Sequence, residues 1–238
     1  MMITMMGTMR RAIRLLAFLT VLVSAPVALS DGPATAAGTV TAAASPDRFV
    51  ASVAPIPPPI RSWMTGSSWR PGCPVGLDAL RLVRLTYWGF DHRAHHGRLV
   101  VAETAANKIV RVFRALFDAR FPIRRMRLVD AYGARDKDSM RHDNTSAFNC
   151  RYRNGVCCTW SMHAYGKAID IDPVENPEIW SGGVSPPNGQ PYVNRSVHRR
   201  GMVFHGDVVW RAFRSVGWRW GGDWTSPIDY QHFSSNGR

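Results

Sequence analysis

Ser161-Met162-His163-Ala164-Tyr165-Gly166-Lys167-Ala168-Ile169-Asp170 is the stretch from which the rest of the chain is read. It places a histidine and a carboxylate seven positions apart, with a glycine between them. Gly166 lets the chain turn after His163. Ala168, Ile169 and Ile171 then have the apolar character of a short buried strand over 167–171. A histidine on the loop and an aspartate on the returning strand can face one pocket. Downstream, Asp229-Tyr230-Gln231-His232-Phe233 brings a second histidine on what reads as a neighbouring strand. Two histidines and one aspartate are donors suited to a catalytic zinc, which takes three protein ligands and keeps a fourth position open. Strand alternation makes Asp172 a rival to Asp170. Asp229, three residues before His232, could act as a base without being a ligand. His92, His95 and His96 form another group, with only Asp91 as a nearby carboxylate. They read as surface residues in a turn.

Working outward, the spacing predicts a helix over 77–85 that runs into a strand at 85–88. A polar, His-rich turn over 90–98 and a returning strand at 99–101 would complete a β-hairpin. Ala102, Ala105, Ala106, Ile109, Phe113, Leu116 and Phe117 recur at helical spacing and predict a helix over 103–119, with Pro122 beyond its end. Residues 126–129 read as a buried strand. The polar stretch 130–160 is a long loop of the kind that usually carries function. Residues 173–206, rich in Pro and Gly, read as a second long loop. Asp207 caps a helix over 208–216 that stops at Gly217. Residues 218–220 and 230–233 read as two final strands. At least two of Trp218, Trp220 and Trp224 are expected in the core. Trp224, beside Gly221-Gly222-Asp223, is the candidate for a pocket wall. Helices and short strands joined mostly by turns define the fold class as α+β, a small antiparallel sheet flanked by helices.

The 238 residues suit one domain with a leader. Arg10, Arg11 and Arg14 precede an apolar run at 15–23, and small residues follow, the order of a signal peptide. The run is shorter than the roughly 20 residues of a membrane span. An uncleaved anchor is the second reading, and cleavage after Ser30 or after Ala36 remains open. The expected organisation is a signal peptide over 1–30, a disordered Ala/Pro-rich spacer over 31–61, and the folded domain over 62–238. The product is then secreted, with no membrane span after cleavage.

Export places the four cysteines in an oxidising compartment. Bridging adjacent Cys157 and Cys158 strains the peptide between them, so Cys73–Cys150 is the expected pair, and the other two are left as free thiols or bonded elsewhere. The formal net charge of +13, carried by three lysines and twenty-seven arginines, favours polyanionic partners such as wall polymers. No helix carries a dense basic stripe and no nucleic-acid motif occurs, so nucleic acid is not the expected partner.

The two motifs resemble those of the zinc D-alanyl-D-alanine carboxypeptidases of the VanY type, which share a fold with other LAS metallopeptidases and with hedgehog signalling domains. Ser161, His163, Gly166, Ala168 and Asp170 match the first family motif, and Asp229 and His232 match the second. The resemblance runs from about Trp69 to Ser234. It implies a zinc site on the sheet and adjoining loops, with His163, Asp170 and His232 as ligands, and so favours Asp170 over Asp172. It implies Asp229 as general base. Carboxypeptidase members usually carry Glu there, and Asp after Trp220-Gly221-Gly222-Asp223-Trp224 looks more like the endopeptidase branch. It also implies an arginine facing the substrate oxyanion or terminal carboxylate. Arg151 and Arg135 are the candidates, and Arg151 is preferred because it precedes the metal motif in the long loop. The implied activity is hydrolysis of peptidoglycan stem peptides at D-Ala-D-Ala. Cleavage of another stem bond, or a zinc module that binds wall peptide without cutting it, are the alternatives.

Overall fold

Strands β1 (Ala51–Pro55), β2 (Leu80–Trp88) and β3 (Ala94–Ala102) form the first sheet of this computed structural model, in which residues 48–237 are described. All its neighbours are antiparallel, with Leu80 opposite Ala102 and Trp88 opposite Ala94. The hairpin is longer than the sequence suggests. Only Leu77–Ala79 forms a 3₁₀ turn, and the rest of the expected helix is strand. The reason is burial on both faces: Val83, Leu85, Leu99 and Val101 enter one core cluster, while Leu80, Leu82 and Val100 enter another. A strand covered on both sides is apolar at nearly every inward position, and its pattern is easily confused with a helix. The turn shrinks to 89–93, so His95 and His96 lie in β3, opposite Tyr87 and Thr86.

The reading of 31–61 as a disordered spacer is corrected over its described part. β1 lies within it, as does the start of helix α1 (Pro58–Met64). β1 is an edge strand whose side chains are mostly exposed, so backbone pairing holds it and no alternation announces it. The three prolines that read as linker begin a helix instead. Pro58 needs no N–H donor in the first turn, and Ile60 and Met64 are buried one turn apart. The leader, 1–30, and the spacer up to 47 lie outside the described residues.

Helix α2 (Glu103–Asp118) forms as its spacing predicts. It buries Ile109, Val112, Phe113 and Leu116 in a cluster with Val209, Ala212 and Phe213 of helix α4 (Val208–Ser215). The Asp207 side chain accepts from Trp210 N at 2.8 Å and caps α4. The expected strand at 126–129 is only a single bridge from Met126 to Thr145, followed by a 3₁₀ turn at Val129–Tyr132. The two long loops are partly ordered as well. Helix α3 (Asp136–Arg141) occupies the first, and strands β5 (Glu178–Trp180) and β6 (Gly183–Ser185) occupy the second.

Two further antiparallel sheets follow. One has the order β4 (Ala168–Asp170), β9 (His232–Ser234), β7 (Arg219–Trp220). The other has the order β6, β5, β8 (Ile228–Asp229). The architecture is α+β, with three small sheets where one was expected. Cys73 and Cys150 are bonded, with Cα atoms 5.9 Å apart. Cys157 and Cys158, expected to be free or bonded elsewhere, are bonded to each other. With Cys73 and Cys150 consumed, each is the other's remaining partner. Among the described residues no helix is long and apolar enough to cross a membrane.

Candidate metal centre

His163 sits on a 3₁₀ turn at Met162–Tyr165. Ser161 begins that turn by accepting from His163 N at 3.3 Å. Gly166 ends it with φ of 64°. A Cβ at Gly166 would meet Ala102 N at 2.5 Å, and Ala102 N donates to Gly166 O at 2.8 Å. Glycine is therefore needed both for the left-handed turn and for seating it against the end of β3. The chain then enters β4, whose Asp170 pairs directly with His232 of β9. Side chains directly opposite on antiparallel strands share a face, so two strands 62 residues apart in sequence place their polar groups together.

The three side chains converge. His232 Nδ1 lies 3.0 Å from Asp170 Oδ1, His163 Nε2 lies 3.1 Å from Asp170 Oδ2, and the two nitrogens are 3.3 Å apart. Ligands about 2.1 Å from a tetrahedral zinc stand roughly 3.4 Å from one another, so this donor set fits such an ion. His163 Nδ1 donates to Ala147 O at 2.6 Å, which orients the ring and leaves Nε2 facing the other two donors. All three residues are buried. Burial acts to raise the Asp170 carboxyl, but the attraction of His163 and His232 outweighs it and holds the group well below the usual range. An ionised carboxylate between two imidazoles is the state that a metal requires.

The triad lies in the wall of a cavity of about 1410 Å³. Asp229, Arg151, Glu178 and Trp224 line the same cavity. Asp229 Oδ1 is buried with no hydrogen-bond partner among the described residues. Burial, opposed by His232 and assisted by Asp170 and Glu178, pushes the Asp229 carboxyl up to about 8. Arg151 is tied to Asp136 at 2.9 Å and lies close enough to Asp170 and Asp229 for their charges to act on it, while its Nε is buried and unpartnered. Arg135 is not brought to this site. It is exposed, pairs with Asp138, and lines a different pocket. Trp224 stacks obliquely on the triad, its ring 5.4 Å from that of His232, whereas Trp218 and Trp220 are buried in the core.

Glu178 was missed by sequence reasoning. It lies in the Pro-rich stretch read as loop, and only pairing of β5 with β8 places it opposite Asp229. Burial raises its carboxyl, and the charge of Asp170 adds to the effect. A stacked pair, Tyr152 and Trp160 with centroids 4.1 Å apart, forms another part of the cavity wall.

Asp172 has other partners. Its φ of 39° breaks the strand alternation. Its Oδ1 accepts from Arg124 N at 2.9 Å and Thr145 Oγ1 at 3.3 Å. Its neighbours Asp143 and Glu175 are also buried, and both pair with Arg124. Burial first, and Glu175 next, push the Asp143 carboxyl up to about 8, against Val174 N and Arg124. The unfolded chain loses this proton near 4, whereas the folded chain keeps it to about 8, so stability should fall as pH rises through that window. Asp143→Asn should flatten the fall. About 1 kcal/mol moves Tm by about 2–4 °C in a domain of this size, so the Tm difference between pH 5 and pH 8 should shrink by a few degrees. An unaltered difference in thermal melts would contradict this.

Residues 157–235 match a family model described as D-alanyl-D-alanine carboxypeptidase. No curated protein and no solved structure matches the chain. The matched segment contains His163, Asp170, Asp229 and His232, and it is this part of the chain that is similar to the D-alanyl-D-alanine carboxypeptidase family.

Proposed function

We propose that this chain is a zinc-dependent hydrolase of peptidoglycan stem peptides, acting as a D-Ala-D-Ala carboxypeptidase. The observation that carries the reading is the convergence of His163, Asp170 and His232 in the wall of one cavity with Asp229 and Arg151. His163 Nε2, His232 Nδ1 and the Asp170 carboxylate would hold the zinc, which would supply Lewis-acid polarisation of a scissile carbonyl. Asp229 takes a proton from the attacking water and passes it to the leaving amine. Arg151, charged and fixed by Asp136, faces the developing oxyanion or the terminal carboxylate of the peptide. Tyr152, Trp160 and Trp224 offer flat apolar surface along which a short peptide can lie.

A second reading, cleavage of another stem-peptide bond, is favoured by the size of the cavity. Its volume of about 1410 Å³, lined by residues as far apart in sequence as Ser67, Arg70, Trp224 and Gly237, is more than a terminal dipeptide fills. The bonded Cys73 and Cys150 support export to an oxidising compartment, with residues 1–30 as a signal peptide.

Mass spectrometry of defined muropeptides after incubation with zinc-loaded protein tests the proposal. A pentapeptide stem should lose its terminal D-alanine. A cut at another bond selects the endopeptidase reading. No cleavage, alongside tight zinc and peptide binding, would make the chain a wall-peptide binding module.

A further inference from the structure

The segment 131–138 has a second side. Ala134, Asp136 and Lys137 line the cavity with the triad, whereas Tyr132, Arg135 and Asp138 line a separate pocket of about 490 Å³ together with Arg125, Arg127 and His142. The two pockets therefore share a wall.

We propose that this second pocket is a phosphate-binding site. Three guanidinium groups line it against one carboxylate, leaving a net charge of about +2 with histidine neutral. That carboxylate, Asp138, is already shared between Arg135 and Arg141. Arg125 is anchored by donating to His142 O. The Arg127 backbone is clamped on both sides by Asn144, at 2.9 Å and 3.0 Å, and its side chain makes no ion pair among the described residues. Both guanidinium groups lie near the Tyr132 phenol, since their charges act to lower its pKa against the burial that raises it. Tyr132 and His142 pack with ring centroids 5.1 Å apart, which makes one aromatic wall of the pocket.

Two guanidinium groups, one on a clamped backbone and one held through its side chain, with a phenol O–H in the same pocket, offer the charge and the donors that a tetrahedral oxyanion takes. Without an anion the exposed charges of Arg125 and Arg127 have no carboxylate of their own in this pocket, since Asp138 is taken by Arg135 and Arg141. The shared chemistry is phosphate, which can arrive as the free ion or as a phosphodiester in an anionic polymer.

The test is isothermal titration of the full chain with inorganic phosphate and, separately, with a glycerol phosphate oligomer, at low and high salt. Both proteins, wild type and Arg127→Ala, should be measured zinc-loaded and zinc-free. Arg125→Ala/Arg127→Ala is the second variant. Arg127→Ala should weaken binding by about tenfold or more, the usual loss for a charge-assisted hydrogen bond, and the double variant should abolish it. Zinc content and melting temperature should stay unchanged. Tighter binding of the oligomer assigns the site to a polymer, and equal binding per phosphate assigns it to the free ion. Equal affinity in wild type and variants overturns the proposal. So does binding that survives the double variant but disappears with zinc, because that places phosphate at the metal centre.

Discussion

Asp229→Ala is expected to keep zinc near one equivalent while turnover falls by about 10²–10⁴-fold, the usual span for losing a general acid–base group. The expectation follows from geometry. Asp229 sits three residues before His232, on β8 rather than on β9, and is not one of the three donors that converge. Its carboxylate oxygen is buried, unpartnered among the described residues, and belongs to a residue of the cavity wall. Removing it should not disturb the metal. The substitution also removes a buried carboxyl that bears a desolvation cost, at a position opposite Glu178 in the β5–β8 pair, so the variant should still fold. Zinc content and muropeptide cleavage measured on the same preparations decide the matter. Undiminished cleavage would remove Asp229 from the mechanism.

His232→Ala should lose both metal and turnover. Two donors remain of three, and Asp170, buried against His163 and His232, loses one of the partners that keep it ionised. Wild-type protein should melt at a higher temperature as zinc is added, by about RT ln(1 + [Zn]/Kd) of added stability. The variant should show no such rise below concentrations at which zinc binds nonspecifically. Metal analysis that finds one equivalent of zinc in His232→Ala would place the ion elsewhere. The two variants together separate a proton-transfer role from a ligand role, since only one of them should release the metal.

The parts of this protein that were legible in its sequence are those written locally. The amphipathic spacing of α2, the Asp207 cap of α4 and the Ser161, His163, Gly166 turn each depend on residues within a few positions of one another. The resemblance to zinc carboxypeptidases rests on such local motifs too, and the family match covers only the segment that carries them. Errors fall where packing outweighed local pattern. β2 is strand because β1 and β3 cover its edges and two core clusters cover its faces. β1 has almost no hydrophobic signature because little of it is buried.

The candidate site divides in the same way. Residue type and spacing offer His163, His232 and either Asp170 or Asp172, because a metal demands particular donors, and the resemblance to zinc carboxypeptidases implies Asp170. Which arginine stands beside them depends on how the loop 130–160 folds. Arg151 and Arg135 are equally basic in sequence, but only Arg151 lines the cavity. In the structure a single backbone angle turns Asp172 away from the face of Asp170, and the appearance of Glu178 beside Asp229 needed a strand pairing across 51 positions. Sequence alone determined the donor chemistry and the helices α2 and α4 of this protein. The tertiary structure decided which side chains share the cavity, because cross-strand register and loop closure are set by contacts between distant segments, to which no local pattern is sensitive.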